Sequence, residues 1–343
     1  MKKKSIDIEQ FIKDYQIKNA PVMLYDLKQL RVNVDRILEF KFKYNIEFVF
    51  PVKSFPNHKI LQFFYDCGFG FDIANENEFA MIKDIIKEDT LISCNGVDII
   101  SKKKNYNNII YNLNSISSLN NSDFYNGVRI NSYKKRKTDF SKFGININKI
   151  NLVPNKEDVI SISFHFYDEN KLKKLKYIFK NTKKCLDRFE NLKYINFGGN
   201  WDVLNYNHFE KQLVEIRKNI DSNFKIIFEV GENWFDNCGY LIAKVIGKNE
   251  IANKKIFYIN AVKDSVAKWS VLRPINLKYE DNNNYITIIS GSSCYEKDVF
   301  SVLNKSVDLS INEKVVFLGL NGYSYAWCKE FNGSLAPEVI FYD

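Results

Sequence analysis

Eight short apolar runs recur between residues 46 and 228: Ile46–Phe50, Phe69–Ile73, Thr90–Ser93, Asn108–Tyr111, Gly127–Ile130, Val159–Phe164, Tyr194–Phe197 and Lys225–Phe228. Between several of them apolar residues return at helical spacing, as in Ile60-Leu61-Phe64-Tyr65, Phe79-Ile82-Ile85-Ile86, Leu172-Leu175-Ile178-Phe179 and Phe209-Leu213-Ile216. A short apolar strand followed by an amphipathic helix is one βαβ step, and such steps give parallel strands. Eight steps in roughly 200 residues are the repertoire of an α/β fold of the (β/α)8 TIM-barrel type. A helix over Leu27–Phe40, apolar at Leu30, Val34, Ile37 and Leu38, precedes the first run.

Beyond about residue 250 the pattern changes. The segments Gly239–Ile246, Lys255–Ile259, Tyr285–Ile289, Lys314–Leu318 and Val339–Tyr342 read as strands with no long helix between them. They imply a second, antiparallel β domain, with Asp281-Asn282-Asn283-Asn284 as an exposed loop. The expected division is a barrel over 25–245 and a β domain built from 1–24 and 246–343.

The net charge of +9 could suggest nucleic acid, but Lys102-Lys103-Lys104 and Lys134-Lys135-Arg136-Lys137 sit among Asn, Ser and Tyr as solvated loops do. No nucleic-acid partner is expected. No apolar run is long enough to span a membrane, and the basic start Met1-Lys2-Lys3-Lys4 lacks the apolar core of a signal peptide. The six cysteines are scattered without CxxC or zinc-type spacing, which favours reduced thiols, a cytoplasmic location and no metal.

Barrel enzymes place their chemistry at the C-terminal ends of the strands. Here those positions are Lys53, Asp72, Asn95, Asn112, Arg129, His165, Gly198-Gly199 and Glu229. Each alone has a structural explanation: a cap, a rim ion pair, a core histidine, a turn. Their convergence on one face does not. A desolvated lysine becomes a nucleophile able to hold an aldehyde as an imine. The glycine pair lets backbone N–H groups approach a phosphate. A carboxylate at Glu229 can keep a pyridine nitrogen protonated, and a weakly charged His165 can stack on a planar ring. Together they are the parts of a pyridoxal 5'-phosphate site.

The same residues resemble a known family, the alanine-racemase-like, fold-type III pyridoxal-phosphate decarboxylases, which act on ornithine, diaminopimelate, arginine or carboxynorspermidine. The resemblance runs in order from Pro21-Val22-Met23-Leu24-Tyr25-Asp26 to the C-terminal region. Pro51-Val52-Lys53-Ser54-Phe55-Pro56-Asn57 is similar to the cofactor-lysine segment, and Gly70-Phe71-Asp72-Ile73-Ala74 with Glu78 to the second-strand motif. Val128-Arg129-Ile130-Asn131, Ser141-Lys142-Phe143-Gly144-Ile145, Ser163-Phe164-His165-Phe166, Asn196-Phe197-Gly198-Gly199 and Phe228-Glu229-Val230-Gly231-Glu232 follow. In the β domain, Gly291-Ser292-Ser293-Cys294 with Asp298 resembles the segment that carries a catalytic cysteine, Tyr323 the phosphate-binding tyrosine, and Phe331-Asn332-Gly333 a block near the family's end.

The resemblance implies a homodimer with shared active sites and a decarboxylase acting on an α-amino acid or a carboxylated aminopropyl group. Lys53 would hold the cofactor, with Asp72 and Arg129 near it and His165 stacked on it. Gly198, Gly199 and Tyr323 would bind phosphate, Glu229 the ring nitrogen, and Cys294 would donate a proton across the dimer interface. Tyr295, Glu296 and Asp298 are the expected substrate contacts. The chain departs from the family pattern at Tyr295, Asn200, Glu232 and Phe166-Tyr167-Asp168-Glu169, and of these Glu232 and the segment after His165 lean towards the carboxynorspermidine-type branch. A racemase or epimerase on the same scaffold is an alternative that Tyr295 keeps open, and a catalytically silent binding protein is another.

Overall fold

The computed structural model describes residues 6–16, 20–97, 108–117, 125–131, 141–166, 171–281 and 285–343. The clusters Lys102–Lys104 and Lys134–Lys137, the loop 282–284 and the departures at 167–169 lie outside them. The chain runs through helix α1 (Ile8–Asp14), strand β1 (Val22–Asp26) and helix α2 (Leu27–Lys43) before the first of eight parallel strands. These are β2 (Ile46–Pro51), β3 (Gly70–Ile73), β4 (Ile92–Cys94), β5 (Ile109–Leu113), β6 (Gly127–Ile130), β7 (Ser161–Phe164), β8 (Tyr194–Asn196) and β9 (Lys225–Phe228). Each pairs with the next, and β9 pairs with β2, so the sheet closes into a barrel. Every expected run forms one of these strands, with ends shifted by two residues at most.

Two compact units divide the chain, one of residues 36–233 and one of residues 1–35 with 234–343. In the first, strand periodicity sorts the side chains. Phe48 and Phe50 of β2 point away from the barrel axis into an aromatic layer. Phe50 stacks on Phe64 at 3.9 Å, and Phe48 meets Phe69, Phe209 and Phe228 at 5.6–6.4 Å. Each fully buried phenylalanine contributes about 1.5–3 kcal/mol of transfer free energy. Val49, between those two, joins Ile110 and Ile227 in the barrel interior. Helices α3 (His58–Asp66) and α4 (Glu76–Ile82) follow β2 and β3, and Asn57 and Asn75 cap them by accepting from the amides of Lys59 and Glu78. Glu78 Oε2 accepts from the Ala74 amide at 2.7 Å, which closes a capping bracket directly behind Asp72. Helices α5 (Lys171–Leu186) and α6 (Tyr206–Asn219) follow β7 and β8.

The other unit contains β1, β10 (Gly239–Ile251), β11 (Lys254–Ile259), β12 (Arg273–Pro274), β13 (Ile286–Ser290), β14 (Val299–Leu303), β15 (Lys314–Leu320) and β16 (Glu338–Tyr342), with short helices α7 (Lys263–Val266) and α8 (Gly322–Ala326). The sheet runs β12-β15-β10-β11-β13-β14. It is mostly antiparallel, but β11 pairs with β13, and β1 with β16, in parallel. Strand β1 lies between β10 and β16, with Leu24 opposite Tyr240 on one side and Ile340 on the other. Sequence patterning missed β1 because its five buried residues run straight into α2 with no intervening turn residue. Buried Asp26 makes that junction, accepting from the Gln29 amide and from the Ile6 amide. Helix α1 packs Ile8, Phe11 and Ile12 over Val22, Leu24, Ile242 and Val316.

Candidate functional site

Alternation along the barrel strands also determines which residues reach the C-terminal mouth. Inward positions on β4 carry Leu91, Ser93 and Asn95, and those on β5 carry Ile110, Asn112 and Asn114. The interior thus changes from an aliphatic layer to a polar one towards the strand ends. Lys53, in the turn after β2, Asp72 on β3, Arg129 on β6, His165 after β7 and Glu229 after β9 extend that polar layer. The structure brings these five sequence-derived candidates together.

Lys53 Nζ lies 2.7 Å from Asp72 Oδ2. Asn95 Nδ2 lies within 2.7 Å of both Asp72 Oδ1 and Glu229 Oε1, and 2.9 Å from Ser93 Oγ. Asn196 Nδ2 adds a second donor to Glu229 Oε1 at 2.6 Å. One amide group thus links the carboxylate that faces the lysine, on β3, to the carboxylate that follows β9, on the other side of β2. Burial, and then the nearby Asp72 charge, push Glu229 up to about 7, although Lys53, Arg129 and the Asn196 hydrogen bond oppose the shift. Glu229 is therefore a buried carboxyl poised to share a proton near neutrality.

His165 is driven the other way, down to about 3, by burial and then by Arg129, Lys53 and Lys174. Its imidazole is neutral at pH 7, so the 3.8 Å approach of Nδ1 to Glu229 Oε2 is a polar contact and not an ion pair. The Gly199 amide donates to Nδ1 at 3.3 Å, which puts the ring proton on Nε2. With 36% of its side chain exposed, the ring keeps accessible surface. Arg129 stacks its guanidinium over Phe143, 4.5 Å from the ring centroid, and reaches the Asn95 carbonyl at 3.5 Å.

Gly198 and Gly199 follow β8. Gly198 has φ +66°, and a Cβ there would meet the Phe164 carbonyl oxygen at 2.4 Å, so only glycine fits. A Cβ on Gly199 would approach the Glu229 carbonyl oxygen at 2.9 Å. The glycine pair brings the loop close against β7 and β9.

The remaining candidates belong to the unit with residues 234–343. Cys294, Tyr295 and Glu296 are exposed on the loop between β13 and β14, and the Cys294 amide donates to Asn332 Oδ1 at 3.2 Å. Tyr323, on α8, packs edge-on against Trp269 at 5.2 Å. Asp298, also expected as a substrate contact, stands just before β14. Its buried carboxylate accepts from the Lys263 amide (2.8 Å), the Ser293 amide (3.0 Å) and the Ser293 hydroxyl (2.6 Å), and so holds the cysteine loop in shape.

A cavity of about 440 Å³ opens at the opposite, N-terminal end of the barrel, bordered by Lys41, Glu47, Lys87, Asp89 and Lys225. Glu47 is matched there by Lys41 and Lys225, and none of the sequence-derived candidates borders that cavity. The C-terminal mouth is the candidate site.

No protein-family model matches the chain. A carboxynorspermidine/carboxyspermidine decarboxylase of Campylobacter jejuni is 23% identical over 203 residues, covering 53% of this chain and 52% of that protein. The matched stretch thus spans about half the length of that relative. Solved structures match over nearly the whole chain. The arginine decarboxylase of Paramecium bursaria Chlorella virus bound to agmatine superposes with a TM-score of 0.78 at 17% identity, over 97% of this chain and 99% of that one. This chain has the fold of the fold-type III pyridoxal-phosphate decarboxylases. The same fold relates it to diaminopimelate decarboxylase of Helicobacter pylori complexed with L-lysine (TM-score 0.77, 16% identity, 98% and 94% covered). It also relates it to carboxynorspermidine decarboxylase of Campylobacter jejuni complexed with norspermidine (0.73, 18%, 94% of each).

The mouth residues suit the cofactor of that fold. An amine paired to a buried carboxylate can receive an aldehyde. A carboxyl raised to about 7 can share a proton with a pyridine nitrogen. Ser163 Oγ and Asn114 Oδ1 are buried without a partner among the described residues, so the polar layer retains hydrogen-bonding capacity.

Sequence reading overlooked Ser93, Asn196 and Lys174. Ser93 and Asn196 could have been found by extending the inward parity of Asn95 down β4 and across to β8.

Proposed function

We propose that this chain is a pyridoxal-phosphate-dependent decarboxylase of an α-amino acid or of a carboxylated aminopropyl group. The observation that supports this most is the Asn95-bridged arrangement of the Lys53–Asp72 pair and Glu229 in one polar layer at the barrel mouth.

When bound, pyridoxal phosphate supplies an electron sink for the electron pair left on the α-carbon as carbon dioxide departs. Lys53 is the residue that would hold the aldehyde carbon, with Asp72 taking the amine's hydrogen bond. Glu229 would hold a proton at the pyridine nitrogen, supported by Asn95 and Asn196. Neutral His165 would stack on the ring, Gly198 and Gly199 would let their loop approach the phosphate closely, and Tyr323 would contribute to binding it. Cys294 of the partner subunit would deliver the proton that replaces the lost carboxylate on the α-carbon. Tyr295 and Glu296 are the side chains next to it that could select the substrate.

The test is a panel of substrates given to the cofactor-loaded protein, with carbon dioxide measured. Carboxyaminopropyl amines and diamino acids such as lysine, ornithine, arginine and diaminopimelate form its two arms. Release of carbon dioxide from either arm supports the reading, and faster release from the first arm assigns the carboxynorspermidine-like class. Half-exposed Tyr295 beside Cys294 favours a second reading, a racemase, which the same panel would report as loss of optical activity without carbon dioxide.

A further inference from the structure

Among the described residues Lys174 is the only buried lysine, 3% exposed, on helix α5. Its amine lies 3.9 Å from the centroid of the Trp201 ring and donates to the carbonyl oxygens of Gly199 (3.1 Å) and Asn200 (3.5 Å). Burying an ammonium group is costly without compensation, and here aromatic and carbonyl groups surround it beside the glycine loop.

The direction of those two hydrogen bonds fixes the direction of two others. In a trans peptide the N–H points opposite to the C=O. Lys174 holds the Gly199 and Asn200 carbonyls on its own side, so the amides of Asn200 and Trp201 face away from it. Neither amide donates to a protein group among the described residues. The preceding amides are committed: Gly198 N–H donates to Asn196 Oδ1 at 2.8 Å and Gly199 N–H to His165 Nδ1. Gly198 and Asn200 both have left-handed backbone, with φ +66° and +61°. Left-handed residues in alternation curl successive N–H groups into an anion-binding concavity. Asparagine is the side-chain-bearing residue that best tolerates such a conformation, which explains how Asn200 can stand at the third glycine position.

The geometry points to Lys174 as the positioning residue of a phosphate subsite. It holds the peptides 199–200 and 200–201 by their carbonyls so that the Asn200 and Trp201 amides face a phosphate dianion, and its charge stabilises that dianion from behind the loop. This rests on the pyridoxal-phosphate reading above and adds the residue that makes the chain prefer the phosphorylated form.

The test compares binding of pyridoxal phosphate and pyridoxal, by equilibrium titration, to the wild-type chain, Lys174→Met and Lys174→Arg. Lys174→Met should weaken pyridoxal phosphate by about ten- to a hundredfold, the size expected for losing one nearby opposite charge at an effective dielectric of about 20. Pyridoxal binding should stay within about twofold of wild type, since the charge acts on the phosphate alone. Lys174→Arg should keep most of the preference. Equal loss of both ligands, or loss of neither, in Lys174→Met overturns the inference while leaving the cofactor reading intact. A wild-type chain that binds no pyridoxal phosphate overturns both. Should Lys174→Met not fold, amide exchange in the wild-type chain decides. Inorganic phosphate should slow exchange at Asn200 and Trp201, and unchanged rates at both would refute the subsite.

Discussion

Lys53 Nζ and Asp72 Oδ2 lie 2.7 Å apart, with the lysine side chain 46% exposed and the aspartate side chain fully buried. The pair is lopsided: its carboxylate is fixed by Asn95, while its amine can swing towards the mouth without dragging an uncompensated charge into the interior. That is the arrangement required of an amine that must both hold a group and release it. In the wild-type chain, borohydride reduction after incubation with pyridoxal phosphate should leave a stable pyridoxyl group on the peptide containing Lys53. In Lys53→Ala that adduct and turnover should both be absent, and peptide mass analysis checks the first. An adduct confined to another lysine would refute the assignment.

Asn95 is the hinge of the polar layer, because its two amide hydrogens serve Asp72, Glu229 and Ser93. Asn95→Ala removes a buried donor from two carboxylates, and hydrogen bonds to charged groups are worth about 1.5–3 kcal/mol. At about 2–4 °C per kcal/mol the melting temperature should fall by several degrees. Asn95→Asp, which adds a third carboxyl group, should lower it further at pH 8 than at pH 5. A melting temperature equal to wild type in both variants would mean that the bridge contributes nothing.

Glu229 makes stability depend on pH in a definite direction. Its carboxyl is raised to about 7, so the folded chain keeps a proton that the unfolded chain releases near its ordinary value. The contribution is full below about pH 4.3 and is lost as pH rises through about 7. His165, lowered to about 3, acts oppositely: its share is lost as pH falls from about 6.5 towards 3. Subtracting the melting curves of Glu229→Gln from those of the wild type isolates the first effect. The difference, wild type minus variant, should drop by a few degrees between about pH 5 and pH 7.5, at about 2–4 °C per kcal/mol. A difference that rises over this range would contradict the raised carboxyl.

The cysteine loop should respond to Asp298 as a structural anchor. Asp298→Ala leaves the Lys263 and Ser293 amides without their acceptor and should cost about 1–3 kcal/mol. Gly291→Ala should reproduce the effect from the other side, since its Cβ would meet the Asp298 carboxylate at 2.2 Å. Thermal denaturation of both variants checks this. If Asp298→Ala instead kept wild-type stability and changed only the Michaelis constant, the residue would be a substrate contact after all.

The barrel was legible because strand and helix periods alternate cleanly between residues 46 and 228, and because parallel strands bury both faces and so read as unbroken apolar runs. The mouth residues were legible because each stands at a strand end. Lys174 was hidden for a different reason: Lys171, Lys173, Lys174, Lys176, Lys180, Lys183 and Lys184 all crowd α5, and composition cannot single one out. Helical spacing could have. Lys174 shares a face with buried Ile178, Asn181 and Cys185, whereas Lys176 and Lys180 do not. Asp298 shows the reverse: an acid beside a candidate catalytic cysteine suggests substrate, and only the structure shows its oxygens accepting from backbone amides.

The parallel pairing of β1 with β16 has a consequence for synthesis on the ribosome. Residues 36–233, which hold every barrel strand, are complete long before residue 338 leaves the peptidyl-transferase centre. Strand β1 has to wait for residues 338–342, made more than 300 residues later, before its second edge is covered. Vectorial folding would therefore place the barrel first and keep one edge of β1 exposed until residues 338–342 have emerged. During that interval the nascent chain offers a ready template for the wrong partner strand.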